Sequence, residues 1–245
     1  MKNISYKSMA EVRSKLRGLG WLSLIISMVT FGVLKLIGGQ LPLPQICTLL
    51  ILAIGLYGSS FLIPKRRIFV LMGPSGCGKT TLGLEFRKWG IPELISHTTR
   101  KPRVGEVEGE TYKFISKEEF DKLEKVEETC YAGNYYCLST VEVNSKLSNN
   151  KSVHCITDRH GMSMVKEMYG NKIVKVLFIG SAVEELAKRM RARGDSEENV
   201  QKRLANLIEN KELDNGKYAD YIVNNNDPVI EFAIRQIKEI LKETA

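Results

Sequence analysis

Hydrophobic and polar positions follow two regimes along the 245 residues. Two long apolar stretches come first: Trp21 to Ile37, with Lys35 as its one charge, and Leu41 to Ile63, with none. Each is about as long as a helix that crosses a ~30 Å hydrocarbon layer at 1.5 Å per residue. Between them lies Gly38-Gly39-Gln40-Leu41-Pro42-Leu43-Pro44, an uncharged, turn-forming link. After residue 67 the apolar runs become short. Ile68 to Met72 and Val174 to Ile179 predict buried strands. Helical patterns run over Thr81 to Trp89, Val183 to Gly194, from Ser196 through Leu204, and from Pro228 to Lys242.

Charge divides at the same place. Residues 1–67 carry nine Lys or Arg against Glu11, which is the whole net charge of +8; the rest holds 27 basic and 27 acidic side chains. A neutral globular part argues against a nucleic-acid partner despite the basic pI. The cations flank the apolar pair, five before Trp21 and three after Ile63. The positive-inside rule then predicts a two-span membrane hairpin, with both termini and the globular part cytoplasmic. Lys35 would snorkel to the headgroups and Trp21 would sit at the inner interface. A cleaved signal peptide would need a small-x-small site, and a soluble helical pair would need a polar face; neither is visible. The predicted organisation is a basic N-terminus (1–20), the hairpin (21–63), a basic linker (64–67) and a globular domain (68–245). Five cysteines without metal-ligand spacing fit a reducing compartment.

Gly73-Pro74-Ser75-Gly76-Cys77-Gly78-Lys79-Thr80 fits Gly-x4-Gly-Lys-[Ser/Thr], between a predicted strand and a predicted helix. Glycines let backbone N–H groups converge on an anion, and the helix N-terminus adds its positive end. Lys79 would reach the β- and γ-phosphates of a nucleoside triphosphate, and the Thr80 hydroxyl would ligate Mg²⁺. Thr81 continues the cradle. Cys77 is read either as a filler of this loop or as a thiol with a redox role.

Further along stand Ser96-His97-Thr98-Thr99-Arg100-Lys101-Pro102-Arg103-Val104-Gly105-Glu106 and then Tyr112. Arg100 and Arg103 flank a proline, so both forks can converge on one phosphate. This run resembles the guanylate kinase family, and the resemblance extends over residues 68–245. It implies an α/β P-loop NTPase-type fold in three layers with a parallel core sheet. An acceptor-binding subdomain at about 96–145 and a helical lid at about 185–205 belong to the same pattern. It also implies ATP and GMP as substrates. Ser96, Arg100, Arg103 and Tyr112 match the family's acceptor-site residues, and Tyr136 its second phosphate-contacting tyrosine. Glu127 stands where the family reads guanine: a carboxylate can accept from both N1–H and the exocyclic amine, a donor pair that adenine lacks.

Two positions depart from the pattern. Cys137-Leu138-Ser139-Thr140 replaces a Gly followed by Ser or Thr, so either Ser139 reads the base through a one-residue insertion or that contact is missing. Ile156 replaces the first acid of Asp-x-Asp, while Asp158 keeps the second, which in the family orients acceptor arginines near the metal. In the lid, Arg189, Arg193 and Arg203 match the arginines that close over ATP phosphates, whereas Arg191 has no matching role and suits a surface ion pair. Asn224 resembles the asparagine that approaches adenine. The implied reaction moves the ATP γ-phosphate to GMP or dGMP, with Lys79, Arg100, Arg189 and Arg193 placing charge around it. A scaffold module that uses the acceptor cleft for a protein ligand is the competing class. Such domains lose the P-loop lysine or glycines, and this chain keeps both. A third reading, prompted by Leu138 and Ile156, is a kinase for a different phosphate ester. An oligomer is possible on this sequence.

Overall fold

The structure is a computed structural model that describes residues 14–26, 28–29, 43–62, 66–103, 105–131, 133–226 and 230–244. The chain divides into two units, residues 1–64 and 65–245.

The first unit contains helix α1 (14–26) and helix α2 (Leu43–Leu62). They meet where Gly20 lets the backbone carbonyl of Ala53 and the Tyr57 side chain come close, with the Trp21 and Tyr57 rings edge to face at 6.1 Å. Among the described residues no helix is long and apolar enough to cross a membrane, so the expected pair of spans is not supported. The reason lies in continuity. Helix α1 begins inside the basic segment, with Lys15 and Arg17 in its first turns, and Lys35 and the rest of the first expected span beyond residue 29 lie outside the described residues. The multi-pass placement with cytoplasmic termini falls with the spans.

The second unit is α/β, as expected. Its core sheet has the order β6-β1-β7-β8, from β1 (Arg67–Met72), β6 (Ser152–Ile156), β7 (Val174–Gly180) and β8 (Tyr221–Asn224). All three pairings are parallel. Parallel strands covered on both faces read as unbroken apolar runs, and β1 is buried from Ile68 through Met72. Alternation sends Phe69 and Leu71 into one core cluster with helices α3 (Lys79–Lys88), α7 (Val183–Ala192), α8 (Glu197–Glu209) and α9 (Glu231–Thr244). Helix α6 (Arg159–Tyr169), whose buried Met162 and Val165 lie outside that cluster, packs against β1 and β7.

A smaller mixed sheet, β3-β2-β5-β4, carries the acceptor motif. Its strands are β2 (His97–Thr98), β3 (Lys113–Phe114), β4 (Lys125–Tyr131) and β5 (Asn134–Ser139). Helix α4 (Lys117–Lys122) starts on a capping box, with Ser116 and Glu119 each accepting from the other's backbone N–H. Helix α5 (Thr140–Asn149) follows β5 directly, and a 3₁₀ segment (Glu212–Tyr218) joins α8 to β8.

Candidate functional site

The P-loop turns between β1 and α3, and two glycines there admit no side chain. A Cβ on Gly73 would stand 2.5 Å from the Ile179 carbonyl oxygen, and Gly78 holds φ +98° with its Cβ position 2.7 Å from Asn225 Nδ2. The left-handed conformation of Gly78 lets α3 start with its N–H groups turned into the loop. Lys79 folds back, donating from Nζ to the carbonyls of Gly73 at 2.6 Å and Pro74 at 3.0 Å. Ser75, Gly76, Gly78, Lys79, Thr80 and Thr81 line a cleft of about 440 Å³. Arg189 and Arg193 close its other side.

Each lid arginine has an acidic or polar partner. Arg189 donates from Nη2 to the Asn225 carbonyl at 2.8 Å and from Nε to Glu185 at 3.0 Å. Arg203 donates to Ser75 Oγ at 3.1 Å, joining the lid to the P-loop. Arg193 and Arg203 both stand within 3.9 Å of Asp195. Arg191 forms a bidentate pair with Glu197, two bonds of 2.8 Å.

Two expected donor-site residues are placed differently. Asn224 is tied to α9 through both backbone groups, exchanging hydrogen bonds with Gln236. Its neighbour Asn225 is buried and donates from Nδ2 to the Cys77 carbonyl at 2.8 Å. Cys77 is itself buried; burial pushes its thiol up, so it stays protonated and fills the loop rather than presenting a thiolate.

The acceptor motif forms its own cavity of about 420 Å³, lined by Ser96, Arg100, Arg103, Glu106, Tyr112, Thr129 and Tyr136. Five of these are residues expected from sequence. Glu106 and Thr129 were given no role by that reading. Arg100 donates from Nε to the Tyr136 hydroxyl at 3.2 Å, and its guanidinium lies 5.6 Å from the Tyr112 ring centre. Tyr112 and Tyr136 meet edge to face at 5.7 Å, and burial raises the Tyr112 phenol, which therefore remains a donor.

Glu127 lies on β4 opposite Leu138, outside the set lining that cavity. Burial raises its carboxyl above the ordinary value; the Asp158 charge raises it further and His160 lowers it. Asp158 caps α6, accepting from the Gly161 N–H at 2.9 Å. With Gly73, Arg159 and His160 it lines a third cavity of about 620 Å³. Ser139 is fully buried and accepts from the Glu142 N–H at 3.2 Å as the cap of α5, so its hydroxyl is used by the helix and does not line the acceptor cavity. Ile156 packs against the core cluster and meets the Cβ position of Gly83 at 3.2 Å.

The guanylate kinase family model matches residues 65–244. A guanylate kinase of Synechococcus sp. is 37% identical over 185 residues, covering 72% of this chain and 82% of that protein. One from Fusobacterium nucleatum is 40% identical over 164 residues, covering 64% and 88%. The crystal structure of guanylate kinase from Anaplasma phagocytophilum superposes with a TM-score of 0.55 at 28% identity, over 74% of this chain and 87% of that one. Two anion-suited clefts on one parallel-sheet core, in a chain matched over nearly its whole second unit, place this protein in the guanylate kinase family, as a nucleoside monophosphate kinase.

Proposed function

We propose that the chain transfers the γ-phosphoryl group of ATP to GMP, and also to dGMP, giving ADP and the nucleoside diphosphate. The observation that carries this reading is the pairing of a P-loop cleft with a separate arginine- and tyrosine-lined cavity. The P-loop N–H groups and Lys79 would hold the ATP phosphates, while Arg189, Arg193 and Arg203 approach from the lid. Arg100, Arg103, Ser96, Tyr112 and Tyr136 would hold the GMP phosphate. Charge spreads over the equatorial oxygens in phosphoryl transfer, so positioning and cation placement supply most of the rate. The attacking oxygen of the acceptor phosphate is already anionic and needs no general base. Glu127 would read guanine, and Asp158 sits at the edge of the P-loop, lining the same cavity as Gly73.

Mg²⁺ fits this donor side. Thr80 offers one hydroxyl oxygen on the wall of the cleft, and Mg²⁺ commonly takes one or two protein oxygens with the rest from phosphates and water. Thr80 would help hold the ion, whose charge would offset the negative charge of the phosphates during transfer.

The test is ADP release by the full-length chain with MgATP and a panel of GMP, dGMP, AMP, CMP and UMP. GMP and dGMP should turn over far faster than the others. Binding of nucleotide with no ADP formed across the panel would overturn the enzyme reading in favour of a binding module.

A further inference from the structure

Glu106 lines the acceptor cavity, yet phosphoryl transfer as derived above gives it no task. It forms a bidentate pair with Arg100, Nη1 to Oε2 at 2.9 Å and Nη2 to Oε1 at 2.7 Å. The same Oε2 accepts from the Arg103 N–H at 2.7 Å, and the Glu106 N–H returns to the Arg103 carbonyl at 3.1 Å. The carboxylate is thus built into a tight turn that begins at Arg103.

A guanidinium has two bidentate edges. One is the Nη1–Nη2 end and the other is the Nε–Nη2 side. Glu106 takes the end, and the remaining Nη1–H goes to the Lys101 carbonyl at 2.8 Å. On the Nε–Nη2 side the Nε–H donates to the Tyr136 hydroxyl at 3.2 Å, so the second Nη2–H and that hydroxyl together face a ligand. Rings of Tyr112 and Phe114, 5.6 and 5.8 Å from the guanidinium carbon, limit its rotation. The Arg100 side chain is only 11% exposed and Glu106 17%, so neither is a solvated surface charge.

We propose that Glu106 is a positioning residue: by occupying the end of the Arg100 guanidinium it presents the Nε–Nη2 edge, with Tyr136, to the acceptor phosphate. This inference rests on the acceptor site proposed above. It differs from the reading in which Glu106 is an internal anion that must leave before a phosphate can enter. The turn favours positioning, since the Glu106 carboxylate accepts from the Arg103 N–H and its departure would break one of the two bonds that close the turn. Arg100 and the Arg103 N–H hold the Glu106 carboxyl below the usual range, so it is charged at neutral pH.

Full-length Glu106→Gln and Glu106→Asp variants test this by steady-state kinetics in GMP and MgATP, with calorimetric binding of GMP and of inorganic phosphate. Positioning predicts that Glu106→Gln raises KM and Kd for GMP about tenfold and weakens inorganic phosphate, with the MgATP KM within about twofold. Glu106→Asp, which keeps the charge, should recover part of the loss and supplies the same split if the glutamine variant does not fold. A lower GMP KM in Glu106→Gln would identify a competing anion and overturn the proposal. Unchanged values, or equal losses for GMP and MgATP, would overturn it as well. Wild type that binds GMP and phosphate but forms no ADP would defeat the proposed reaction alone, and the binding series would still judge Glu106. Wild type that binds neither would defeat both.

Discussion

Asn225 Nδ2 donates to the Cys77 carbonyl at 2.8 Å, so the residue just past the last core strand holds the crown of the P-loop. The same residue's carbonyl receives the Arg189 guanidinium, at 2.8 Å. One buried asparagine thereby links the loop that would cradle ATP to a lid cation. Replacing it with Ala leaves the Cys77 carbonyl without this donor, a loss of about 1–3 kcal/mol where the group stays buried. Asn225→Ala should raise the MgATP KM several-fold more than the GMP KM and lower the denaturation midpoint. Steady-state kinetics and urea unfolding check the two halves.

Lys79 rests on two backbone carbonyls of its own loop, at 2.6 and 3.0 Å. Lys79→Ala should lower kcat by about 10²–10³, the usual cost of deleting one charge stabiliser of a transition state. Single-turnover ADP formation distinguishes this from slowed product release. A variant with near wild-type kcat would remove Lys79 from the transfer step.

Glu127 must be ionised to accept from guanine, and burial, with the Asp158 charge, raises its carboxyl above the ordinary value. The carboxylate is lost as pH falls through that raised value. GMP kcat/KM should therefore rise with pH across the acid range and level off toward neutrality. Glu127→Gln should weaken GMP much more than MgATP and flatten that acid limb. Equal losses for both substrates would show that Glu127 does not read the base.

Arg191 and Arg203 offer a contrast within the lid. Arg191 is held by Glu197 away from the cleft, whereas Arg203 reaches Ser75. Arg191→Ala should leave kcat and both KM values within about twofold, as exposed ion pairs are worth little. Arg203→Ala should raise the MgATP KM or lower kcat by roughly tenfold.

His154 supplies a stability prediction. It is fully buried between Phe86 and Gly83, its Nδ1 lies 2.9 Å from the Ile91 carbonyl, and desolvation lowers its pKa to about 4. The unfolded chain binds this proton near pH 6.5 and the folded chain does not, so stability falls as pH drops from about 6.5 toward 4. At pH 5 this amounts to about 2 kcal/mol relative to pH 7.5. Denaturant titrations of wild type and His154→Gln at both pH values should show the variant losing less.

Local motifs in the sequence carried most of the site. The P-loop is legible because glycine spacing encodes a backbone path, and Ser96, Arg100, Arg103, Tyr112 and Tyr136 do converge on one cavity. Residues whose position depends on tertiary register were not legible. Asn224 and Asn225 differ by one place, yet adjacent strand positions face opposite ways, and only the pairing of β7 with β8 decides which reaches Cys77. Ser139 has the right chemistry to read a base, but its position before α5 turns the hydroxyl into a cap. Glu106 has no role legible in the motif, because its pairing with Arg100 and with the Arg103 N–H depends on the fold of the loop. The apolar N-terminal stretches predicted two spans that no described helix supports, and residues 30–42, which hold the second half of the first stretch, lie outside the described residues.

The hydrogen bond from Asn225 to Cys77 joins positions 148 residues apart, and that from Arg203 to Ser75 joins positions 128 apart. A chain made from its N-terminus exposes the glycine loop well before the strand that completes it. Contacts of such separation close late in folding, because the intervening chain must be ordered first. The donor cleft therefore assembles only after β8 has been made, and a nascent chain ending before β8 lacks the asparagine tether that holds the P-loop.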